Sequence, residues 1–328
     1  MNLNNKILDL SVFGESHGPV VGATLTGLPS GIKINENIIK KYLAQRRSQN
    51  EYETKRIEDD EFQILSGVTN GFSNGNPITI IVKNKNVDDC EEVLARPSHG
   101  DYETFLKQGN YADLRGGGLS SGRLTAPIVA LGSIVIEVLK SKNIFINSSP
   151  CIDQELLKVA QNDFDSLGAL VSVNVQGVEG GLGGNLFDSL ESKIGSAMLA
   201  IPGVKGIQFG LGFKFANKFA SQVNDQFEIE KGLVKFKSNN SGGINAGITN
   251  GEDINFSVVF KPTPTIQKNQ NYLDLKSMVI KNQKLCTRND ICIARRGQYA
   301  INALTAIIIL DALLQKYGSE YLKLCVTI

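Results

Sequence analysis

His17 and His99 are the only histidines in a chain of 328 residues. An imidazole changes charge near neutral pH and is the usual general acid or base. Both histidines lie in polar loops, Gly14-Glu15-Ser16-His17-Gly18 and Arg96-Pro97-Ser98-His99-Gly100-Asp101. A loop histidine can do no more than satisfy a backbone carbonyl. The placement of both in such loops points instead to a pair of proton carriers.

The nine arginines are the second signal. Most sit in or beside Gly, Ser and His loops, where a planar fork can grip phosphate or carboxylate better than lysine. Confining arginine to loop ends suggests a polyanionic small ligand. Arg56, next to Glu58 and Asp59, reads as a surface ion pair. The run Arg115-Gly116-Gly117-Gly118-Leu119-Ser120-Ser121-Gly122-Arg123 has glycines, two hydroxyls and a helix start behind it. By geometry that is an anion cradle. It lacks the lysine and spacing of a P-loop and does not open a dinucleotide-binding unit. Asp290, two residues after Arg288, is either a held base, an orienter of a base, or a helix N-cap. The five cysteines form no CxxC pair, and with two histidines no metal centre is expected.

The elements that must carry these loops follow from periodicity. Leu8 to Phe13 and Val20 to Gly27 read as strands flanking the His17 loop. Asn35 caps a predicted helix with the face Ile34, Ile38, Ile39, Tyr42 and Leu43, ending near Arg46. Phe62 to Val68 and Pro77 to Val82 read as paired strands. Leu124 to Lys142 is a helix apolar on nearly every face, hence buried. Leu170 to Gln176, Ile207 to Phe213 and Ile254 to Phe260 alternate like strands. Gly177 to Asn185 reads as a tight turn, Leu186 to Ala200 as a helix, and Tyr299 to Lys316 as a second buried helix. The apolar stretch Ala303 to Leu314 contains Asp311 and is too short to cross a bilayer. Met1 to Leu10 has no apolar targeting core, and the net charge is +1. Nothing in these features asks for nucleic acid or a membrane, and scattered thiols suit the cytoplasm. With no linker between halves, one large domain over residues 1–328 is expected, with helices packed among sheets.

In order, these blocks resemble the chorismate synthases. Phe13 to Gly18, with Gly27-Leu28-Pro29-Ser30-Gly31, is similar to the family's first signature. Ile64 to Val68 and Arg96 to His99 are similar to the next two blocks. Arg115 to Pro127 resembles the second signature, and Asn239 to Ile244 and Lys261 to Pro264 follow in register. Arg288-Asn289-Asp290 resembles the third. The resemblance covers nearly the whole chain. It implies an α+β fold, a single-domain β-α-β sandwich with long buried helices between sheets, assembled as a cytoplasmic homotetramer. It also implies loss of phosphate and a ring proton, in a 1,4 sense, from 5-enolpyruvylshikimate 3-phosphate. Reduced FMN is required without net redox change, and NADPH enters only indirectly, through flavin reduction. By motif, His99 resembles the acid for the leaving phosphate, His17 the residue at the reduced flavin, and Asp290 the carboxylate assisting ring-proton removal. Ser16, Arg46, Arg96 and Arg123 fall on substrate positions. Ser120, Ser121, Gly203, Ala246, Lys261, Pro262, Thr263, Pro264, Thr265 and Arg288 fall on flavin positions. The chain departs from the family pattern at Glu51, Leu119, Ala246, Ile291 and Asn302. Two other readings compete: a small-molecule kinase using Gly116 to Ser121 for ATP phosphates, and a decayed flavin-binding relative.

Overall fold

A computed structural model of the chain describes residues 1–48, 52–53, 59–85, 94–285 and 290–323. Glu51, Arg56, Cys90, Cys286, Arg288, Asn289 and Cys325 lie outside the described residues. The helices used below, in chain order, are α1 (Glu36–Arg46), α2 (Asp101–Gln108), α3 (Thr125–Ser141), α4 (Gln154–Asn162), α5 (Leu190–Leu199), α6 (Ala220–Val223) and α7 (Ala294–Tyr317).

Two antiparallel sheets enclose α3 and α7. The first runs in the order Asn2–Leu3, Asp9–Gly14, Val20–Thr26, Ile78–Lys83, Phe62–Ser66. The second runs Val204–Phe209, Ile254–Phe260, Ala169–Gln176, Phe145–Cys151. Helix α3 packs on the first sheet and α7 on the second, and the two helices pack on each other. The result is the expected β-α-β sandwich. Both helices are apolar all round because each meets a sheet on one side and a helix on the other. Their axes come close at Gly132, where a methyl group would fall 2.3 Å from the Ala303 side chain.

Strand choice follows β-branched content and alternation. Ile254–Phe260 has every second residue buried. In the first sheet Phe13 lies opposite Gly22, and a methyl on Gly22 would strike the Phe13 ring at 2.3 Å. Asn35 caps α1 as expected, its Oδ1 accepting from the Asn37 N–H at 3.0 Å. Ile39 and Leu43 are buried on one face, and Arg46 is buried at the last turn.

By length and composition Gly122–Ser141 and Ala294–Tyr317 could each cross a bilayer. Here both are core helices, mostly buried between the sheets. Asp311, the one acid in the apolar stretch of α7, is buried and accepts the Ile7 and Leu8 N–H groups at 2.8 and 2.9 Å. It ties the first strands to the central helix.

Three expectations are corrected. Helix α5 begins at Leu190 and not Leu186, because the Ser189 hydroxyl caps it and Leu186 has φ +52. The strand from Val204 stops at Phe209, because Gly210 and Gly212 turn with φ +52 and +51. Helix α7 starts at Ala294, a full turn before Tyr299, and so carries Arg295 and Arg296 on a helix.

Candidate active site

The strand Asp9–Gly14 delivers the first histidine loop. Ser16 is fully buried, its N–H donating to Gly118 O at 3.3 Å and its hydroxyl to Arg115 O at 3.2 Å. Asn84 closes the loop from the other side, its Nδ2 donating to Glu15 O at 3.0 Å and Gly18 O at 2.8 Å. These bonds pin His17, which is buried against the glycine loop. A methyl on Gly116 would fall 2.2 Å from His17 Nε2.

The second histidine loop ends at the start of α2. Ser98 takes φ +57, and Lys261 Nζ donates to its carbonyl. His99 Nδ1 lies 2.7 Å from Asp101 Oδ1. The Arg96 fork grips the same carboxylate, Nε to Oδ2 at 2.7 Å and Nη2 to Oδ1 at 2.9 Å. A methyl on Gly117 would fall 2.8 Å from His99 Cε1.

Consecutive glycines thus seat the two imidazoles. Gly116, Gly117 and Gly118 have φ of +58, +102 and +50. Three successive left-handed residues are accessible only to glycine. The loop's close approaches are to histidine rings and to Asp113 O, 2.2 Å from a methyl on Gly118. That use of the glycines leaves the kinase reading without support. Ser120 is exposed beside Gly100, and Ser121 caps the following turn by accepting the Arg123 N–H at 3.3 Å.

A buried charge cluster lies behind the His17 loop. Arg123 donates Nε to Asn84 Oδ1 at 2.9 Å, Nη2 to Lys83 O at 2.9 Å, and Nη1 to Asp60. Arg46 donates to Thr125 Oγ1 and to Gly122 O, and its Nη1 is 3.6 Å from Asp60 Oδ2. Arg296 donates Nε to Arg46 O at 3.1 Å and Nη1 to both Asp290 oxygens at 3.1 and 2.9 Å. A run of hydrogen bonds, completed by the 3.6 Å ion pair between Asp60 and Arg46, therefore joins the His17 loop, through Asn84, Arg123, Asp60, Arg46 and Arg296, to Asp290. Burial, with Arg296 next, pushes the Arg46 guanidinium down to about 9, while Asp60 pulls the other way.

The flavin-position residues divide. Lys261 to Thr265 follow the strand Ile254–Phe260, and the Lys261 N–H donates to Gly203 O at 2.9 Å. Gly203 has φ +87, and a methyl there would fall 2.7 Å from Ile293 Cδ1. Burial and the neighbouring Lys205 push the Lys261 ammonium below its ordinary value. The Thr263 Oγ1 is buried with no hydrogen-bond partner among the described residues. Ala246 lies at the other end of that strand, in the turn between Ile244–Asn245 and Ile248–Thr249, with its carbonyl accepting from Asn185. It holds φ +53, where the family pattern has glycine, a conformation costing an alanine about 1–2 kcal/mol. Asn302 Oδ1 is a second buried atom without a partner among the described residues.

Asp60 and Asn84 had no local signal in the sequence. Asp101 and Arg296 could have been found by spacing, two residues after His99 and six after Asp290. Burial pushes the Asp101 carboxyl up, but hydrogen bonds from Arg96 and His99 outweigh it and hold Asp101 well below the usual carboxylate range. Its ionised form stabilises the fold above the unfolded value of 3.8, and that contribution is lost as pH falls through the depressed folded value. Asp101→Asn should therefore lower stability near neutral pH, and its gap from wild type in urea titrations should narrow below about pH 4. A gap of constant size down that range would contradict the assignment.

Comparison with known proteins agrees with this architecture. The family model described as chorismate synthase matches residues 8–152 and 150–314. A chorismate synthase from Thermococcus gammatolerans is 36% identical over 97% of this chain and 99% of its own length. One from Campylobacter fetus subsp. fetus is 38% identical, covering 98% of each. A crystal structure of a chorismate synthase superposes with a TM-score of 0.74 at 27% identity, covering 98% of this chain and 96% of its own. Matched over nearly its full length by the family model, by these relatives and by this structure, the chain belongs to the chorismate synthase family and is a lyase.

Proposed function

We propose that residues 1–328 form one catalytic domain that eliminates phosphate and a ring proton from 5-enolpyruvylshikimate 3-phosphate to yield chorismate. The observation that carries the reading is the pair of imidazoles seated on adjacent glycines, Gly116 and Gly117. A breaking carbon–oxygen bond leaves its electron pair on the phosphate, and His99 supplies the proton that phosphate needs. The ring carbon–hydrogen bond gives its electron pair to the new double bond and its proton to Asp290, which Arg296 holds in place. His17, buried beside Gly116, holds a proton toward the flavin. Ser16, Arg46, Arg96 and Arg123 shape the anionic substrate's pocket, with Arg46 and Arg123 supplying field from buried positions.

The residues fit reduced FMN. Thr263 Oγ1 is a buried hydroxyl without a partner among the described residues, in the Lys261 to Thr265 segment, and Ser120 is exposed at the glycine loop. Ser120, Ser121, Gly203 and Lys261 to Thr265 would hold the flavin, with Ala246 and Arg288 as further flavin positions. When bound, reduced FMN would supply electron density to the breaking bond with no net redox change. NADPH takes part only through flavin reduction elsewhere. We further propose a cytoplasmic homotetramer.

The experiment is anaerobic. The purified chain is mixed with photoreduced FMN and 5-enolpyruvylshikimate 3-phosphate, and phosphate release is followed together with flavin absorbance. Coupled phosphate release and chorismate formation are expected. No phosphate above the enzyme-free control would refute the reading.

A further inference from the structure

We propose that Asp101 is a positioning residue that fixes the tautomer of His99, so that the proton given up comes from Nε2; this rests on the reading of His99 as the acid. Asp101 opens α2, where a carboxylate ordinarily faces the free N–H groups of its own helix. Here its oxygens turn back. Oδ1 is 2.7 Å from His99 Nδ1, and Oδ2 accepts the Arg96 backbone N–H at 3.1 Å and Nε at 2.7 Å. The side chain is only 3% exposed, against 17% for His99. With one fork of Arg96 across both oxygens, the carboxylate cannot rotate away.

Two groups compete for His99 Nδ1. Arg96 Nη2, which can only donate, is 3.1 Å away, and Asp101 Oδ1, which can only accept, is 2.7 Å away. The shorter contact to an anion selects a proton on Nδ1. Arg96 Nη2 already donates to Asp101 Oδ1 at 2.9 Å, so it has an acceptor without the ring. Nε2 is then the nitrogen that gains and loses a proton. It lies at the Gly117 wall, where a methyl would be 3.2 Å away. The charged groups facing His99 are Arg96 and Asp101, with the Lys261 ammonium bound one residue away at Ser98 O. In this arrangement Arg96 acts through Asp101, and its contribution to the substrate pocket is the shape of the His99 loop.

With two histidines in the chain, ¹⁵N-histidine labelling yields two imidazole spin systems, and His99→Gln assigns them. Wild-type His99 is expected to show the Nδ1–H tautomer when neutral. Asp101→Asn keeps the shape but offers an amide donor, so the tautomer should shift toward Nε2–H. Its kcat should fall by about 10²-fold or more while KM changes by less than about threefold, as expected for a wrongly protonated imidazole. Asp101→Glu should restore part of kcat and the Nδ1–H signal. A wild-type His99 in the Nε2–H form would overturn the proposal without any variant. So would an Asp101→Asn enzyme with unaltered kcat, or one altered only in KM. If His99→Gln retains turnover while the Nδ1–H tautomer is seen, the acid reading fails separately.

Discussion

His99→Gln should lower kcat for phosphate release by about 10²–10⁴-fold, the usual contribution of a positioned general acid. Glutamine keeps a polar group near Asp101 but has no proton to exchange near neutrality. The phosphate departing from the ring would then leave as a poorer leaving group, and substrate binding should be little altered. The effect belongs in kcat and not in KM, because the imidazole acts on charge that develops in the transition state. The neighbouring Gly117 makes the test clean: the ring sits on a wall with no room to move closer, so a shortened or reshaped side chain should not be replaced by another group. The measurement is the anaerobic phosphate assay with reduced FMN, with far-ultraviolet circular dichroism to show that the variant is folded. A kcat within about threefold of wild type would remove His99 from the chemistry.

The second large effect concerns stability. Asp60 is buried and faces Arg123 Nη1 directly and Arg46 Nη1 at 3.6 Å. Asp60→Ala leaves two buried guanidinium groups without their carboxylate. Removing one partner of a buried ion pair costs about 3–5 kcal/mol, because the uncompensated charge stays behind. Arg46 is already pushed down by burial and by Arg296, so losing Asp60 removes one of its favourable neighbours. Urea unfolding should show the loss as a lower midpoint. Asp60 also sits at φ +48, and a turn-former alone could explain its presence. Asp60→Asn separates the two causes, since asparagine tolerates the left-handed conformation but carries no charge. If the charge matters, Asp60→Asn should lose most of what Asp60→Ala loses. If Asp60→Asn matches wild type within about 0.5 kcal/mol, the turn was the reason and the cluster is not held by this carboxylate.

The two predictions draw on different kinds of information. His99 was visible as a residue type in a polar loop, and the chain's blocks, read in order, pointed to its chemistry. Asp60 carried no signal, because its partners lie on α1 and beside α3, far along the chain. Arg295 and Arg296 fell outside the helix expected from Tyr299. They instead belong to α7, where Arg295 pairs with Glu53 and Arg296 with Asp290.

Local sequence determined what local physics encodes. Apolar spacing marked α1, the buried α3, most of α7 and the strands Ala169–Gln176 and Ile254–Phe260, because periodicity records which face is buried. Residue types and their order marked the histidine loops, the glycine run and the family. Tertiary structure alone decided that Gly116 and Gly117 lie under two rings from separate loops. It also turned Asp101 to His99 and Arg96 in preference to its own helix terminus, and threaded Asp60 between two arginines. The reason is that partners far apart in the chain, such as Asp60 and Arg123, are selected by proximity in the folded structure, and no spacing along the sequence carries that distance.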